Sequence, residues 1–117
     1  MEQKRKLIFF KNYFDDFFNS LSSKVKEKID YVLFLITVAN RIPTKFFEHV
    51  TGTDGLFEIR IEFESNIYRI FCCFDEGNLV VLFNGFQKKN QKTPRSEIDK
   101  ALKIKEAYFK DKRNGKE

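Results

Sequence analysis

The chain has no tryptophan, a single histidine, His49, and only two cysteines among its 117 residues. The cysteines, Cys72 and Cys73, are adjacent. Neighbours in a strand point to opposite faces, so we do not expect these two to pair with each other. No further cysteine is present to build a disulfide framework or a cysteine-rich metal site. We therefore predict two small apolar residues in a reducing compartment, and no metal site.

Long hydrophobic runs are also missing. The longest, YVLFLITVA at Tyr31–Ala39, is far too short for a bilayer, which takes about 20 residues. The N-terminal stretch MEQKRKLIFF has charges but neither a long apolar region nor a cleavage-like site, so it does not indicate a signal peptide. The sequence predicts a cytoplasmic protein that does not bind a membrane.

Phenylalanine and positive charge are what the chain has in quantity. Hydrophobic residues make up 42%, with 15 Phe, which predicts one aromatic core and a single domain over residues 1–110. Residues 111–117 are predicted to be a disordered tail. The excess of 22 basic over 17 acidic residues favours an anionic partner, nucleic acid foremost, although a merely basic soluble surface explains it equally well.

Hydrophobic periodicity predicts an α+β fold with a small antiparallel sheet, an N-terminal helical hairpin on one face and a C-terminal helix. The predicted order is a strand at residues 6–10, helices at Tyr13–Asn19 and from Ser22 or Ser23 to about Ala39, a polar connection, strands in LFEIRIEFES, IYRIFCCF and NLVVLFNGF, and a last helix capped by Thr93 with Pro94 first. The predicted turns are Ser65–Asn66 and Glu76–Gly77. Asn12 is the predicted cap of the first helix.

These turns assign each strand residue to one of two faces. The first face, predicted to lie under the helical hairpin, contains Phe57, Ile59, Ile61, Phe63, Tyr68, Ile70, Cys72, Phe74, Leu79, Val81 and Phe83. The second face contains Glu58, Arg60, Glu62, Arg69, Phe71, Cys73, Val80, Leu82, Asn84, Phe86 and Lys88. A slip of one residue would reverse the faces of a strand.

The second face carries the candidate binding chemistry. Arginine forks suit phosphate, and exposed Phe71 and Phe86 would offer surfaces for base stacking. Lys88, Lys89 and Lys92 add three cations in the loop FNGFQKKNQKTP. The alternative is ordinary: Arg69 pairs with Glu62, Arg60 pairs with Glu58 or Glu64, and the lysines form a solvated turn.

Four segments, GLFEIRIEF, YRIFCCF, LVVLFNGFQKKNQKTP and EIDKALKIKEAYF, follow one another between about residues 55 and 109. This ordered set resembles the phage-derived Gp49-like group of the RelE/HigB toxin superfamily. The resemblance implies a RelE-like fold and a toxin of a bacterial toxin–antitoxin pair. It also implies an endoribonuclease that cuts mRNA in the ribosomal A site and needs no metal or other cofactor, since the 2′-hydroxyl of the RNA attacks the adjacent phosphate.

The resemblance also implies roles for individual residues. By this resemblance the phosphate-binding catalytic residues are Arg60, Arg69 and Lys88, and Lys89 and Lys92 belong to the RNA-binding lysine loop. The residues themselves add Phe86 and Lys45 as candidates for RNA binding, and Glu58 and His49 as candidate bases. The alternatives are that Glu58 only pairs with an arginine and that a lone loop histidine is incidental. The general acid stays open, and Tyr108 is expected to pack rather than to react. A neutral effect is expected for removal of the Lys112 side chain, which falls in the predicted tail.

Partners follow from the same resemblance: a cognate helix-turn-helix antitoxin, the ribosome and mRNA. A mixed patch of Phe71, Val80, Leu82 and Phe86 is expected to be exposed and to need a partner. Two other functions remain open. One is a non-catalytic inhibitor of DNA gyrase related to the ParE branch, and the other is a phage-derived binding protein without activity.

Overall fold

The computed structural model describes residues 2–89 and 92–115. They form three helices and one five-stranded sheet, so the chain is α+β, as predicted. The elements in chain order are β1 Lys6–Phe9, α1 Tyr13–Asn19, α2 Ser23–Val38, β2 Phe47–His49, β3 Phe57–Phe63, β4 Asn66–Asp75, β5 Leu79–Lys88 and α3 Arg95–Arg113. The strand order across the sheet is β1-β5-β4-β3-β2.

The sheet is mixed, which corrects the prediction of a purely antiparallel one. β1 runs parallel to β5, while the β2–β3, β3–β4 and β4–β5 pairs are antiparallel. β2 is a short edge strand inside the segment predicted to be a polar connection. Three residues are too few for alternation to reveal a strand, and its pairing with β3 defines it.

The first two helices begin and end close to their predicted limits. The Ser22 side chain caps α2 by accepting a hydrogen bond from the Val25 backbone N–H. Asn12 precedes α1 but makes no side-chain capping bond, so that part of the prediction is wrong. None of the helices within the described ranges is long and apolar enough to cross a membrane.

The C-terminal helix differs from the prediction at both ends. It begins at Arg95, with an extended Pro94 at the cap position and no side-chain cap, so Thr93 is not the cap and Pro94 is not yet helical. It continues to Arg113, so residues 111–113 are helical rather than a disordered tail. Lys116 and Glu117 of that predicted tail lie outside the described residues.

The turn between β3 and β4 lies one residue earlier than predicted. Glu64 and Ser65 both have positive φ, 50° and 69°, as a two-residue hairpin turn requires. Phe63 therefore pairs with Asn66, and Arg60 pairs with Arg69. The partners differ from the predicted ones by two positions, so every residue of these strands keeps its predicted face.

The β4–β5 connection contains one residue more than predicted, and this reverses the first half of β5. Asp75 pairs with Leu79 and Phe74 with Val80, so the predicted faces of Leu79–Phe83 are wrong. A bulge between Ile70 and Cys72 then shifts the register again. After it, Arg69 pairs with Phe86, so Phe86 returns to its predicted second face.

Both faces of the sheet are buried over much of their area, which explains why β4 is apolar without alternation. On the first face, the cluster includes Phe14 of α1 and Val25, Ile29, Val32, Leu33 and Ile36 of α2 beside Ile59, Ile61, Tyr68, Ile70, Cys72, Val80 and Leu82. On the second face, Ala101 and Ile104 of α3 join Phe10, Val50, Leu56, Phe71, Cys73, Val81, Phe83 and Phe86.

Candidate functional site

The end of the second face near the start of α3 forms a cleft of about 690 Å³. Its lining comes from β2 and the residues after it, from β3, from the end of β5 and from the entry to α3. The lining residues are Glu48, His49, Val50, Thr51, Glu58, Lys88, Lys92, Thr93 and Ile98. The fold thus gathers four of the predicted site residues in one concave surface: His49, Glu58, Lys88 and Lys92.

Two arginines lie directly opposite each other on β3 and β4, Arg60 and Arg69. Like charges in such a pair repel, and Glu58 compensates. One of its carboxylate oxygens, Oε1, is 3.7 Å from Arg69 Nε, and the other, Oε2, is 3.7 Å from Arg60 Nε. Glu58 therefore stabilises two neighbouring guanidinium groups that would otherwise repel each other.

The edge strand β2 supplies a second carboxylate. Arg60 Nη1 donates a 2.7 Å hydrogen bond to Glu48 Oε1. The four side chains form an alternating row of charges, in the order Glu48, Arg60, Glu58 and Arg69. The ordinary alternative, ion pairing of the arginines, is correct for Arg60 with Glu58, whereas Arg69 pairs with Glu58 and not with Glu62.

Arg69 is the buried member of this row, with only 2% of its side chain exposed. Its Nη1 donates to the Tyr68 carbonyl oxygen at 3.1 Å, and its Nε has no hydrogen-bond partner among the described residues. Burial lowers the pKa of the Arg69 guanidinium, and nearby Glu58 partly opposes that effect. Arg69 is thus a buried positive charge that contacts the Glu58 carboxylate from within the sheet.

Lys88 lies at the end of β5, opposite Ile67, and is partly buried. Burial lowers its pKa, and the positive charges of Arg69 and Arg60 lower it further, against the opposing charge of Glu58. These effects show that Lys88 shares the electrostatic environment of the row. Lys89 and Lys92 are exposed, whereas Asn90 and Gln91 between them lie outside the described residues.

His49 belongs to β2 and not to a loop, which corrects the sequence-based placement. Its Nε2 is 2.9 Å from the Thr53 carbonyl oxygen, and its ring packs edge-on against Phe57 with centroids 5.3 Å apart. Phe57 packs against the core of the first face. Of the two candidate bases, the structure brings Glu58, and not His49, into contact with the arginines.

The predicted aromatic stacking surface is not exposed. Phe71 is fully buried and Phe86 is 9% exposed, and their rings stack on each other with centroids 5.7 Å apart. Val80 and Leu82, the other members of the predicted patch, are also fully buried. The expectation of an exposed apolar patch is therefore wrong. The helix α3 joins the core on the second face and covers Phe71 and Phe86, while the extra residue between β4 and β5 places Val80 and Leu82 in the core of the first face.

Lys45 lies apart from the lysines of the cleft. With Lys28, Phe46, Arg60 and Glu62 it lines a separate pocket of about 270 Å³. Its Nζ is 5.0 Å from the centroid of the Phe46 ring. Arg60 borders this pocket and also bonds Glu48 of the larger cleft, so it lies between the two.

Tyr108 is partly buried and packs against the core, in agreement with the prediction. Its ring contacts Phe10 with centroids 5.3 Å apart, and its hydroxyl donates a 2.7 Å hydrogen bond to Asp75 Oδ2. Lys112 binds the same carboxylate at 2.8 Å and also pairs with Glu76. Lys112 therefore holds α3 to the end of β4, and its removal is not expected to be neutral.

Glu48 is the site residue that sequence reasoning missed. The signal was present in FFEHV, a short aromatic and β-branched run, but the flanking polar residues suggested a connection. Within residues 2–89 and 92–115 no three His, Cys, Asp or Glu side chains are grouped as a metal ion would require.

The comparisons with known proteins identify the family of the chain. A family model described as "Phage derived protein Gp49-like (DUF891)" matches residues 16–106. No curated protein matches the chain in a sequence comparison. The matched range covers most of the chain and includes Glu48, Glu58, Arg60, Arg69 and Lys88. The chain belongs to the Gp49-like family of phage-derived proteins, the RelE/HigB-like toxin group that its sequence motifs resemble.

Proposed function

We propose that this protein is the toxin of a bacterial toxin–antitoxin pair and cuts mRNA held by the ribosome. Its membership of the Gp49-like family supports the toxin class. The observation that carries the proposed chemistry is that Glu58 and Lys88 line the same cleft, while the Glu58 carboxylate contacts Arg60 and Arg69. A carboxylate that accepts a proton, with cations that stabilise the growing negative charge, suits phosphodiester transfer to an RNA hydroxyl.

In the proposed reaction the Glu58 carboxylate accepts the proton of the RNA 2′-hydroxyl. The 2′-oxygen forms a bond to the adjacent phosphorus, and the bond from phosphorus to the 5′-oxygen breaks. The products are a 2′,3′-cyclic phosphate and a 5′-hydroxyl. Arg60, through its exposed part, stabilises the charge that grows on the non-bridging oxygens.

Lys88 is the proposed proton donor to the leaving 5′-oxygen. A lysine at its ordinary pKa of about 10.4 is too weak an acid for efficient general acid catalysis at neutral pH. Burial and the two arginines lower the Lys88 pKa, which brings it closer to the useful range. Arg69 is a positioning residue, because its buried guanidinium contacts Glu58 and not the solvent.

The remaining lysines are proposed to bind the nucleic acid backbone. Lys92 lines the cleft, Lys89 is exposed at the end of β5, and Lys45 lies on the other side of Arg60. Each phosphate contact of this kind contributes affinity that decreases as salt rises. The proposed partners are the ribosome with its mRNA, and a helix-turn-helix antitoxin that suppresses the activity.

The test is induction of the protein in a bacterium, followed by mapping of RNA 5′ ends. The wild type should arrest translation and leave cuts within coding frames. Glu58→Gln and Lys88→Ala should each reduce cutting by about 10²- to 10⁴-fold, the usual effect of removing one acid or base. Lys24→Ala, at an exposed position of α2, is the matched charge control and should cut like the wild type.

Thermal melts must accompany each variant, since loss of the fold would mimic loss of the site. Intact transcripts together with gyrase-linked DNA damage would refute the RNase proposal and support a ParE-like inhibitor. Normal growth on induction of the folded wild type would support an inactive phage-derived binding protein. Full cutting by folded Glu58→Gln and Lys88→Ala variants would disprove the assigned roles.

A further inference from the structure

Glu48 binds the outer end of the Arg60 guanidinium. Its Oε1 accepts a 2.7 Å hydrogen bond from Arg60 Nη1, at the end of the guanidinium that can form paired bonds with phosphate. Arg60 Nε faces the other carboxylate, Glu58, at 3.7 Å. Carboxylate oxygens therefore engage the guanidinium at both Nη1 and Nε.

The geometry of the two strands makes this contact a built feature. Glu48 and Glu58 lie directly opposite each other across β2 and β3, and such like charges repel unless a cation lies between them. The Arg60 backbone N–H donates to the Phe46 carbonyl oxygen at 2.8 Å, which anchors β3 beside the edge strand. The Arg60 side chain is thereby held where it bridges the two carboxylates.

The contact is also one that a ligand can open. Glu48 is 52% exposed and Arg60 is 29% exposed, and exposed ion pairs of this kind contribute little stability. The backbone of β2 need not move, because the Glu48 side chain can rotate into solvent. A phosphate that approaches Nη1 of Arg60 can therefore displace the Glu48 side chain while Glu58 stays in place.

From these observations we propose that Glu48 is an internal competitor of the substrate phosphate for Arg60. This inference rests on the proposed function. It assigns to Glu48 a specificity role: the carboxylate weakens binding of free RNA, whose phosphates are dilute and mobile, whereas RNA positioned by another macromolecule can displace it. Removal of the Glu48 charge should therefore strengthen binding of free RNA.

The experiment measures binding of a short single-stranded RNA with 2′-O-methyl groups, which removes the attacking hydroxyl and prevents cutting. Fluorescence anisotropy at low salt compares the wild type with Glu48→Gln and Glu62→Gln. Both variants lose one negative charge, and Glu62 lines the pocket beside Arg60 without a hydrogen bond to it among the described contacts. We expect Glu48→Gln to bind about two- to fivefold more tightly than Glu62→Gln.

A second comparison isolates Arg60. In an Arg60→Gln background the advantage of Glu48→Gln over Glu62→Gln should disappear, because there is no guanidinium left to release. Equal affinities of Glu48→Gln and Glu62→Gln, or an advantage that survives Arg60→Gln, would overturn the competitor role. The proposed function would stand in that case if the wild type still cuts mRNA. No binding of the RNA by the wild type or any variant would overturn the competitor role and the RNA-binding site together.

Discussion

Gly85 of β5 is the position at which a single methyl group should disturb the whole fold. It lies opposite Ile70 beside the bulge, and α1 packs closely over it. A Cβ added there would lie 2.5, 2.7 and 2.9 Å from three ring atoms of Phe17. The perturbation is therefore Gly85→Ala, and its φ is not among the positive ones, so backbone strain does not contribute.

The size of the effect follows from these distances. To regain a contact of about 3.4 Å, the Phe17 ring must move by roughly 0.9 Å from the closest position, 3.4 minus 2.5. Overpacking of this kind destabilises a domain by about 1–3 kcal/mol. For a domain of this length, that corresponds to a decrease in Tm of roughly 4–12 °C. Thermal and urea denaturation followed by circular dichroism measure both quantities.

A double-mutant cycle tests the cause. In a Phe17→Ala background the added methyl group has no ring to strike, and Gly85→Ala should be neutral or stabilising by up to about 1 kcal/mol, as expected for alanine over glycine in a strand. Gly77→Ala is a contrasting control, because its Cβ would meet nothing within 4 Å but its φ is +78°. An unchanged Tm for Gly85→Ala, or the same loss with and without the Phe17 ring, would refute the reasoning.

Three further predictions concern the core and the helix caps. Tyr108→Phe should destabilise the fold at pH 7 by about 1.5–3 kcal/mol, the range for a hydrogen bond to a charged group. Burial alone would raise the Asp75 pKa, but its hydrogen bonds outweigh burial and lower it. The loss in free energy of unfolding caused by Tyr108→Phe should therefore be fully present above about pH 4, and it should shrink as the pH falls through the lowered Asp75 pKa. A difference that instead grows in acid would contradict this. Cys73 should resist iodoacetamide in the native state at pH 8, because burial raises its pKa to about 11 and leaves it 1% exposed; rapid labelling without unfolding would refute this. Ser22→Ala should destabilise by about 0.5–2 kcal/mol, whereas Asn12→Ala, which removes no capping bond, should change the stability much less; equal losses in urea denaturation would show that the capping bond does not account for the difference.

The candidate site was predictable in its residues more than in its arrangement. The alternation of β3 places Glu58 and Arg60 on one face. The resemblance to the Gp49-like group indicates Arg60, Arg69 and Lys88 as site residues. Their pairing was not predictable. The hairpin turn lies one residue earlier than predicted, so Arg60 and not Glu62 lies opposite Arg69, and Arg69 forms its ion pair with Glu58. The exposure of Phe86 was predicted wrongly, because no local pattern reports that a distant helix joins the core on that face.

What the sequence by itself determined is the part of the fold that depends on neighbours along the chain. The strict alternation of β3 assigns its faces, the capping serine places the start of α2, and the short polar breaks mark both turns to within a residue. The tertiary structure alone decided the faces of β5. LVVLF is apolar on both sides, so it contains no alternation from which to read a register, and one extra residue in the turn together with one bulge sets which side chains face α2 and which face α3. The tertiary structure also decided that Glu48 binds Arg60. The two residues belong to different strands, β2 and β3, and the pairing of the edge strand brings them together.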